Sequence, residues 1–314
     1  MEKLVIALGG NALQGVDKMP TAEAQLAVVE ATSEYIADII AAGYDVVLAH
    51  GNGPQVGRIV LQNEVARAET PAMPFDVCGA MSQGMIGYHI QQGLTKALRR
   101  RGSDREVVTV VTQVVVDKDD PMFLNPTKPI GAFYSQEEAL LLCDTKGYVM
   151  KEDAGRGWRR VVASPEPVEI VELNAVKRLF DGGFIVVTVG GGGIPVIRCE
   201  DGSLAGTAAV IDKDLASEKL AEDIDADVLM ILTAVEQVCI NFNTPDERRL
   251  REMSAAEARA YMAEGHFAPG SMLPKVQAAV RFAESKEGRR AIITSLEKAV
   301  EAVHGRAGTT ITLK

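Results

Sequence analysis

Three short apolar runs in this chain of 314 residues stop on glycines: Leu4 to Leu8 into Gly9-Gly10-Asn11, Val46 to Ala49 into His50-Gly51-Asn52-Gly53-Pro54, and Ile185 to Val189 into Gly190 to Gly193. A glycine turn leaves backbone N–H groups uncovered by any Cβ, and a helix starting there aims its positive end at the same place. Such turns suit anions, phosphates above all. Phosphoryl transfer also calls for cations, because its transition state spreads charge over the transferring oxygens while the protein does little covalent work. Three lysines sit by turns or helix starts: Lys128 in Asn-Pro-Thr-Lys-Pro, Lys213 between Asp212 and Asp214, and Lys275 directly after Pro274. For Lys213 two readings stay open, a charge held by carboxylates for catalysis or a solvated lysine behind an Asp212 helix cap. Lys275 falls in the first turn of an expected helix, where a cation opposes the dipole, so an anion is expected beside it.

Other chemistries fit less well. Gly51 to Gly57 has one residue too many before its last glycine for the dinucleotide fingerprint, and Asp76 falls in an expected helix rather than at a strand end. Gly265 to Ser271 has P-loop spacing without the lysine, and Ser82 lacks the Gly-x-Ser-x-Gly elbow. His50 could donate to an oxyanion, although a backbone hydrogen bond at a strand end explains it better. His89, His266 and His304 read as structural, and no protein metal site is expected, since no His/Asp/Glu cluster has ligand spacing.

The elements that must position these residues alternate from the start. Strands are expected over 3–8, 45–49, 107–116, 184–189, 228–232, 237–242, 291–295 and 309–313. Helices are expected over 22–42, from about 54, and over 73–101, 168–180, 214–223, 255–264, 273–287 and 296–304, with a hairpin around Gly202. This is the pattern of βαβ units and a mainly parallel sheet covered by helices. From Asp117 to Pro167 prolines punctuate an insertion with one short helix (136–143) and a hairpin (148–162). Phe123, Phe133, Tyr134, Tyr148 and Trp158 offer it a core of its own. Lid and structural decoration are both open readings of it. Glycines 79, 84, 87 and 93 on the long helix would let another helix or a ligand come close. Two lobes, dividing near 180 to 210, follow from the restart of the pattern.

A net charge of −10 argues against nonspecific nucleic-acid or anionic-membrane binding, both of which need a basic surface. The four cysteines lack any C-x-x-C spacing, which suits a reducing, cytoplasmic setting. Five apolar residues before Gly9 are too few for a signal core, and no run approaches the roughly 18 of a membrane helix.

Taken in order, these motifs closely resemble the carbamate kinases of the amino acid kinase family: Gly9 to Leu13, His50 to Gly57, Gly79 to Gly84, Asn125 to Pro129, Gly190 to Pro195, Asp212 to Asp214 and Gly265 to Met272. The resemblance implies an open three-layer αβα sandwich with a mainly parallel sheet and a small protruding subdomain, about residues 117–165. It implies an acceptor lobe (1–185), a nucleotide lobe (186–314), and reversible phosphoryl transfer between ATP and carbamate, giving ADP and carbamoyl phosphate with Mg2+. Use in fermentative arginine degradation and a homodimeric state are implied as well. Carried over, Gly9, Gly10, Asn11, Gly51, Asn52 and Gly53 hold the acceptor, while Lys128, Lys213, Asp214 and Lys275 are catalytic. Gly190, Gly191, Thr233, Val238 and Met272, with Lys213 and Lys275, serve the nucleotide. Acylphosphate-forming relatives such as acetylglutamate kinase carry a lysine where this chain has Ala7, so its charge must come from Lys213 and Lys128. Cys239 stands where the family often has tyrosine, which removes an aromatic contact near the base. Carbamate brings its own oxygen anion, so no general base is required. Another small acid or phosphate as acceptor, and a catalytically idle nucleotide sensor, are the competing readings.

Overall fold

The computed structural model describes residues 1–14, 21–153 and 155–314; Ala154, in the expected hairpin, and the side chain of Asn11 lie outside the described residues. An eight-stranded sheet forms the centre, in the order Glu252–Ser254, Thr309–Thr312, Arg290–Ser295, Val228–Thr233, Lys3–Leu8, Asp45–His50, Ile185–Val187 and Val107–Thr109. Thr309–Thr312 runs antiparallel to Arg290–Ser295 and parallel to Glu252–Ser254, and the other pairings are parallel. Near-continuous apolar strands are what a sheet covered on both faces requires. Alternation along the first strand sends Val5 and Ala7 into one core with Val47 and Ala49, and Leu4, Ile6 and Leu8 into the other with Val46 and Leu48. Helices Lys213–Asp223 and Met272–Ser285 cover the first face, and Ala22–Ala41 and Phe75–Arg100 the second. Full burial of such side chains stabilises by about 1.5–3 kcal/mol each, so the three-layer sandwich follows from the strand composition.

On the long helix, Gly87 lies against Thr109, and a Cβ on Gly93 would come within 2.9 Å of Ser33 Oγ, while Gly79 and Gly84 face open space. Two of the four glycines therefore serve close packing. The arginines at this helix's C-terminus pair with Glu34 and Asp38 of the neighbouring helix.

Three expectations are corrected. The strand expected over 107–116 is two strands in different sheets, Val107–Thr109 and Gln113–Val115. The break is held by Gln83, whose amide accepts from Thr112 N–H at 2.8 Å and donates to Thr112 O at 3.1 Å. The helix expected over 168–180 begins only at Leu173, because Glu169–Ile170 pairs with Val114 and Val115 first. The insertion's core is not aromatic: Ile130, Ala139, Met150, Val161 and Val162 are among its buried residues, while Phe133 is exposed beneath Arg156 and Arg159.

That insertion holds a three-stranded sheet in the order Lys128–Tyr134, Trp158–Val162, Val149–Glu152, with helix Gln136–Lys146. It rests on helix Gly53–Val65, where Gly57 meets Gly131 backbone to backbone and Glu64 accepts from Lys146 (2.6 Å) and Tyr148.

Candidate functional site

Sequence neighbours of the first strand lie on one side of it, and Val228–Thr233 lies on the other. In such sheets the crevice beyond the strands' C-terminal ends, at this reversal, is where ligands sit. A cavity of about 300 Å³ opens there, lined by Gly9, Gly10, Lys213, Thr233, Lys275 and Glu297 among others. Gly9 is required at its floor: a Cβ would come within 2.8 Å of Leu232 O, the backbone of the adjacent strand. Ala7, just before it, is fully buried in the sheet, so this strand supplies no charge to the site.

Cations enter from two helix starts. Asp212 caps helix Lys213–Asp223, its Oδ1 accepting from Asp214 N–H at 2.8 Å. Asp214 accepts from Lys213 on one oxygen and from Lys275 Nζ on the other at 2.7 Å. The cap at Asp212 is therefore real, but Lys213 is not solvated: its side chain is 14% exposed and that of Asp214 3%. Its stem lies across the second glycine turn, where a Cβ on Gly51 would stand 3.1 Å from Lys213 Cδ. The anion expected beside Lys275 is Asp214 itself. Lys128 joins the group from the insertion, donating to Asp212 Oδ2 at 2.5 Å. Three ammonium groups meet two carboxylates here, and the Glu297 carboxylate lines the same cavity.

Burial drives the Lys213 ammonium below the usual lysine range despite Asp214. Burial alone would raise the Asp214 carboxyl, yet Lys213 and Lys275 hold it well below the carboxylate range. Burial also works against the Lys275 charge, but Asp214 outweighs it and the group ends above its ordinary value. Asp214 thus stays ionised and keeps both lysines aimed at the cavity without a substrate present.

The second turn, after Asp45–His50, opens helix Gly53–Val65, with Pro54 in its first turn where its fixed φ favours the helix start. Asn52 is buried and donates to Ser82 Oγ at 2.8 Å. His50 is fully buried, with Nδ1 2.9 Å from Gly51 O, and burial lowers it to about 4. It is neutral and structural.

The third glycine run opens no helix. After one tight turn it enters the strand Ile194–Arg198. Gly191 and Gly192 have φ of 67° and 91°, and a Cβ at 190 or 191 would collide with His50 or Asn52. These glycines let the third turn pack onto the second. Gly190 and Gly191, expected on the nucleotide side, lie three strand spacings from Thr233, about 14 Å. Val238 is buried, its N–H donating to Thr309 Oγ1 at 2.8 Å, and Met272 starts the Lys275 helix; neither lines the cavity. Cys239 is half-buried in the short sheet Val238–Ile240 with Arg248–Leu250.

Two contributors were missed from sequence. Asp212 reads from sequence as a helix cap or as a carboxylate beside Lys213, and nothing local connects it to Lys128. Glu297 follows strand Arg290–Ser295 without a glycine to mark the turn.

The sequence profile of the amino acid kinase family matches residues 2–295. A carbamate kinase of Clostridium perfringens is 55% identical over 313 residues, covering 98% of this chain and 99% of its own. A carbamate kinase-like protein of Escherichia coli is 55% identical over 313 residues, with 99% of each chain covered. The solved structure of Giardia lamblia carbamate kinase bound to AMP-PNP superposes with a TM-score of 0.91 at 48% identity, covering 99% of this chain and 98% of that one.

Proposed function

This chain belongs to the amino acid kinase family, and we propose that within it the protein is a carbamate kinase, moving a phosphoryl group between ATP and carbamate. The observation that carries this reading is the Lys213–Asp214–Lys275 array at the mouth of a cavity floored by Gly9 and Gly10. A nucleotide sensor needs phosphate contacts, but not two buried lysines fixed by one carboxylate beside an acceptor turn.

In the forward direction a carbamate oxygen attacks the γ-phosphorus of ATP, a new P–O bond forms, and the bond to ADP breaks. Gly9, Gly10, Gly51, Asn52 and Gly53, with Asn11, hold the acceptor. Lys213 and Lys275 take up charge on the transferring group, Asp214 orients both, and Lys128 closes over the acceptor. Thr233 and the strand ends beyond it take the nucleotide, with Val238 and Met272 behind. For Gly190 and Gly191 we propose support of the acceptor turn, since they pack on His50 and Asn52. A two-lobe division, 1–185 and 186–314, is proposed about the reversal between Lys3–Leu8 and Val228–Thr233, although strand Ile185–Val187, which the boundary cuts, pairs with Asp45–His50 and Val107–Thr109 on the acceptor side.

Among the described residues no group of three or more His, Cys, Asp or Glu could hold a metal, and Asp212 and Asp214 are engaged by lysines. Magnesium is therefore proposed to arrive on the nucleotide's phosphates, where it would neutralise their charge.

A homodimer is proposed through an apolar stripe on helix Phe75–Arg100, where Val77, Met81 and Tyr88 are 36%, 46% and 58% exposed; sedimentation at micromolar concentration tests it. Among the described residues no helix is long and apolar enough to cross a membrane. ATP synthesis in fermentative arginine degradation, in the cytoplasm, is the proposed setting. An acyl phosphate panel tests the acceptor: carbamoyl phosphate should support ATP formation from ADP far better than acetyl phosphate, and the reverse order would replace carbamate as the acceptor.

A further inference from the structure

Asp212 is 7% exposed, and its two carboxylate oxygens do different work. Oδ1 accepts from Asp214 N–H and starts the helix that carries Lys213 and Asp214, while Oδ2 accepts from Lys128 Nζ at 2.5 Å, across 84 residues of sequence. Capping alone needs one neutral acceptor, and asparagine or serine does it as well as aspartate. The second oxygen is what calls for a charge here.

We propose that Asp212 is the positioning residue that places Lys128 over the acceptor side and ties the inserted subdomain to the phosphoryl-transfer helix. This rests on the acceptor reading given above. Lys128 opens the first strand of the inserted sheet, its backbone paired with Val162, but a lysine stem has wide rotamer freedom. One of the ammonium's three donors goes to Asp212, which fixes Nζ and leaves two for the acceptor's oxygens. The same carboxylate grips the backbone N–H of Asp214. Seating Lys128 and aligning the Lys213–Asp214–Lys275 array thus share one group. At the insertion's end Glu166 makes an exposed ion pair with Arg281 at 2.7 Å on the Lys275 helix, a weaker tie than the buried one at Asp212.

Asp212→Asn separates the two jobs, since the amide oxygen keeps the cap and the charge for Lys128 is lost. KM for carbamoyl phosphate should rise about tenfold, the factor one charge-assisted hydrogen bond represents, while KM for ADP changes far less than that. Combined with Lys128→Met, Asp212→Asn should add nothing further. A joint rise in both KM values, or effects that multiply in the double variant, would reduce Asp212 to a helix cap and overturn the proposal. Hydrogen exchange gives a readout without turnover: Asp212→Asn should speed exchange across Lys128–Tyr134 and leave Val228–Thr233 unaltered. Unaltered exchange at Lys128–Tyr134 would overturn the tie even if the parent protein proved inactive on carbamoyl phosphate. Should Asp212→Asn not fold, Lys128→Gln breaks the same pair from the other side and must show the same exchange pattern.

Discussion

Replacing Asp214 with asparagine removes the negative charge between Lys213 and Lys275 while conserving size. Both lysines donate to its carboxylate, Lys275 at 2.7 Å, and the three side chains are 14%, 14% and 3% exposed, so water cannot take its place. Deleting one partner of a buried charge group costs about 3–5 kcal/mol. At roughly 2 °C per kcal/mol for a chain of this size, the melting temperature should fall by roughly 6–10 °C. The two ammonium groups, now uncompensated, relieve each other when Lys213, already weakened by burial, gives up its proton. Losing one preorganised contact to the transferring group costs about 3–4 kcal/mol in the transition state, so kcat should drop about 10²–10³-fold. The sign of the pH effect follows: Lys213 must be protonated to act, and its pKa falls further in the variant, so residual kcat rises as the pH is lowered from alkaline values. Coupled ATP formation from ADP and carbamoyl phosphate across that range reads both effects. A kcat within about twofold of the parent, or one that rises with pH, would refute the array as the source of transition-state charge.

Lys213→Ala should lower kcat by about 10²–10³-fold with a much smaller change in ADP affinity, because a contact made mainly in the transition state acts on kcat; a loss confined to ADP binding would contradict that role. Burial lowers His50 from 6.5 to about 4, so the unfolded chain binds the extra proton between those values. Its contribution is complete above about pH 6.5 and lost toward pH 4 at about 1.4 kcal/mol per pH unit; urea midpoints should therefore fall from pH 7 to pH 5, and less steeply in His50→Gln. Glu218 has the opposite sign: burial, with Glu222 beside it, raises it from 4.5 to about 8, so the folded state keeps a proton that the unfolded chain releases. Stability from this group is lost as pH rises through that window, and Glu218→Gln should stabilise the protein at about pH 8 by a few kcal/mol but little at about pH 5. Equal midpoints for parent and variant at the higher pH would show that Glu218 is ionised in the folded state.

Strand runs with local signals were readable from sequence, as Leu4 to Leu8 and Val46 to Ala49 show, because burial on both faces leaves a continuous apolar stretch. The elements missed were those whose signal is tertiary. Lys128–Tyr134 contains Pro129 and Gly131 and reads as loop, yet it is a strand, because Val162 and Val161 pair with its start and Gly57 needs Gly131 to come close. The break at Thr112 depends on Gln83, a residue 29 positions away. In the site, the unfavourable placement of Lys275 on its helix dipole correctly announced an anion, and the structure supplies it as Asp214. That the Gly190 turn packs on His50 was not readable, since strand order and not chain order decides it. The second task of Asp212 was hidden for the same reason.

As a carbamate kinase, the protein transfers a phosphoryl group between carbamoyl phosphate and ADP. Phosphorus NMR of the parent protein with both substrates and magnesium follows this transfer itself: the carbamoyl phosphate resonance should give way to the γ-phosphate of ATP. A folded protein that leaves carbamoyl phosphate intact, or converts it only to inorganic phosphate, would contradict it.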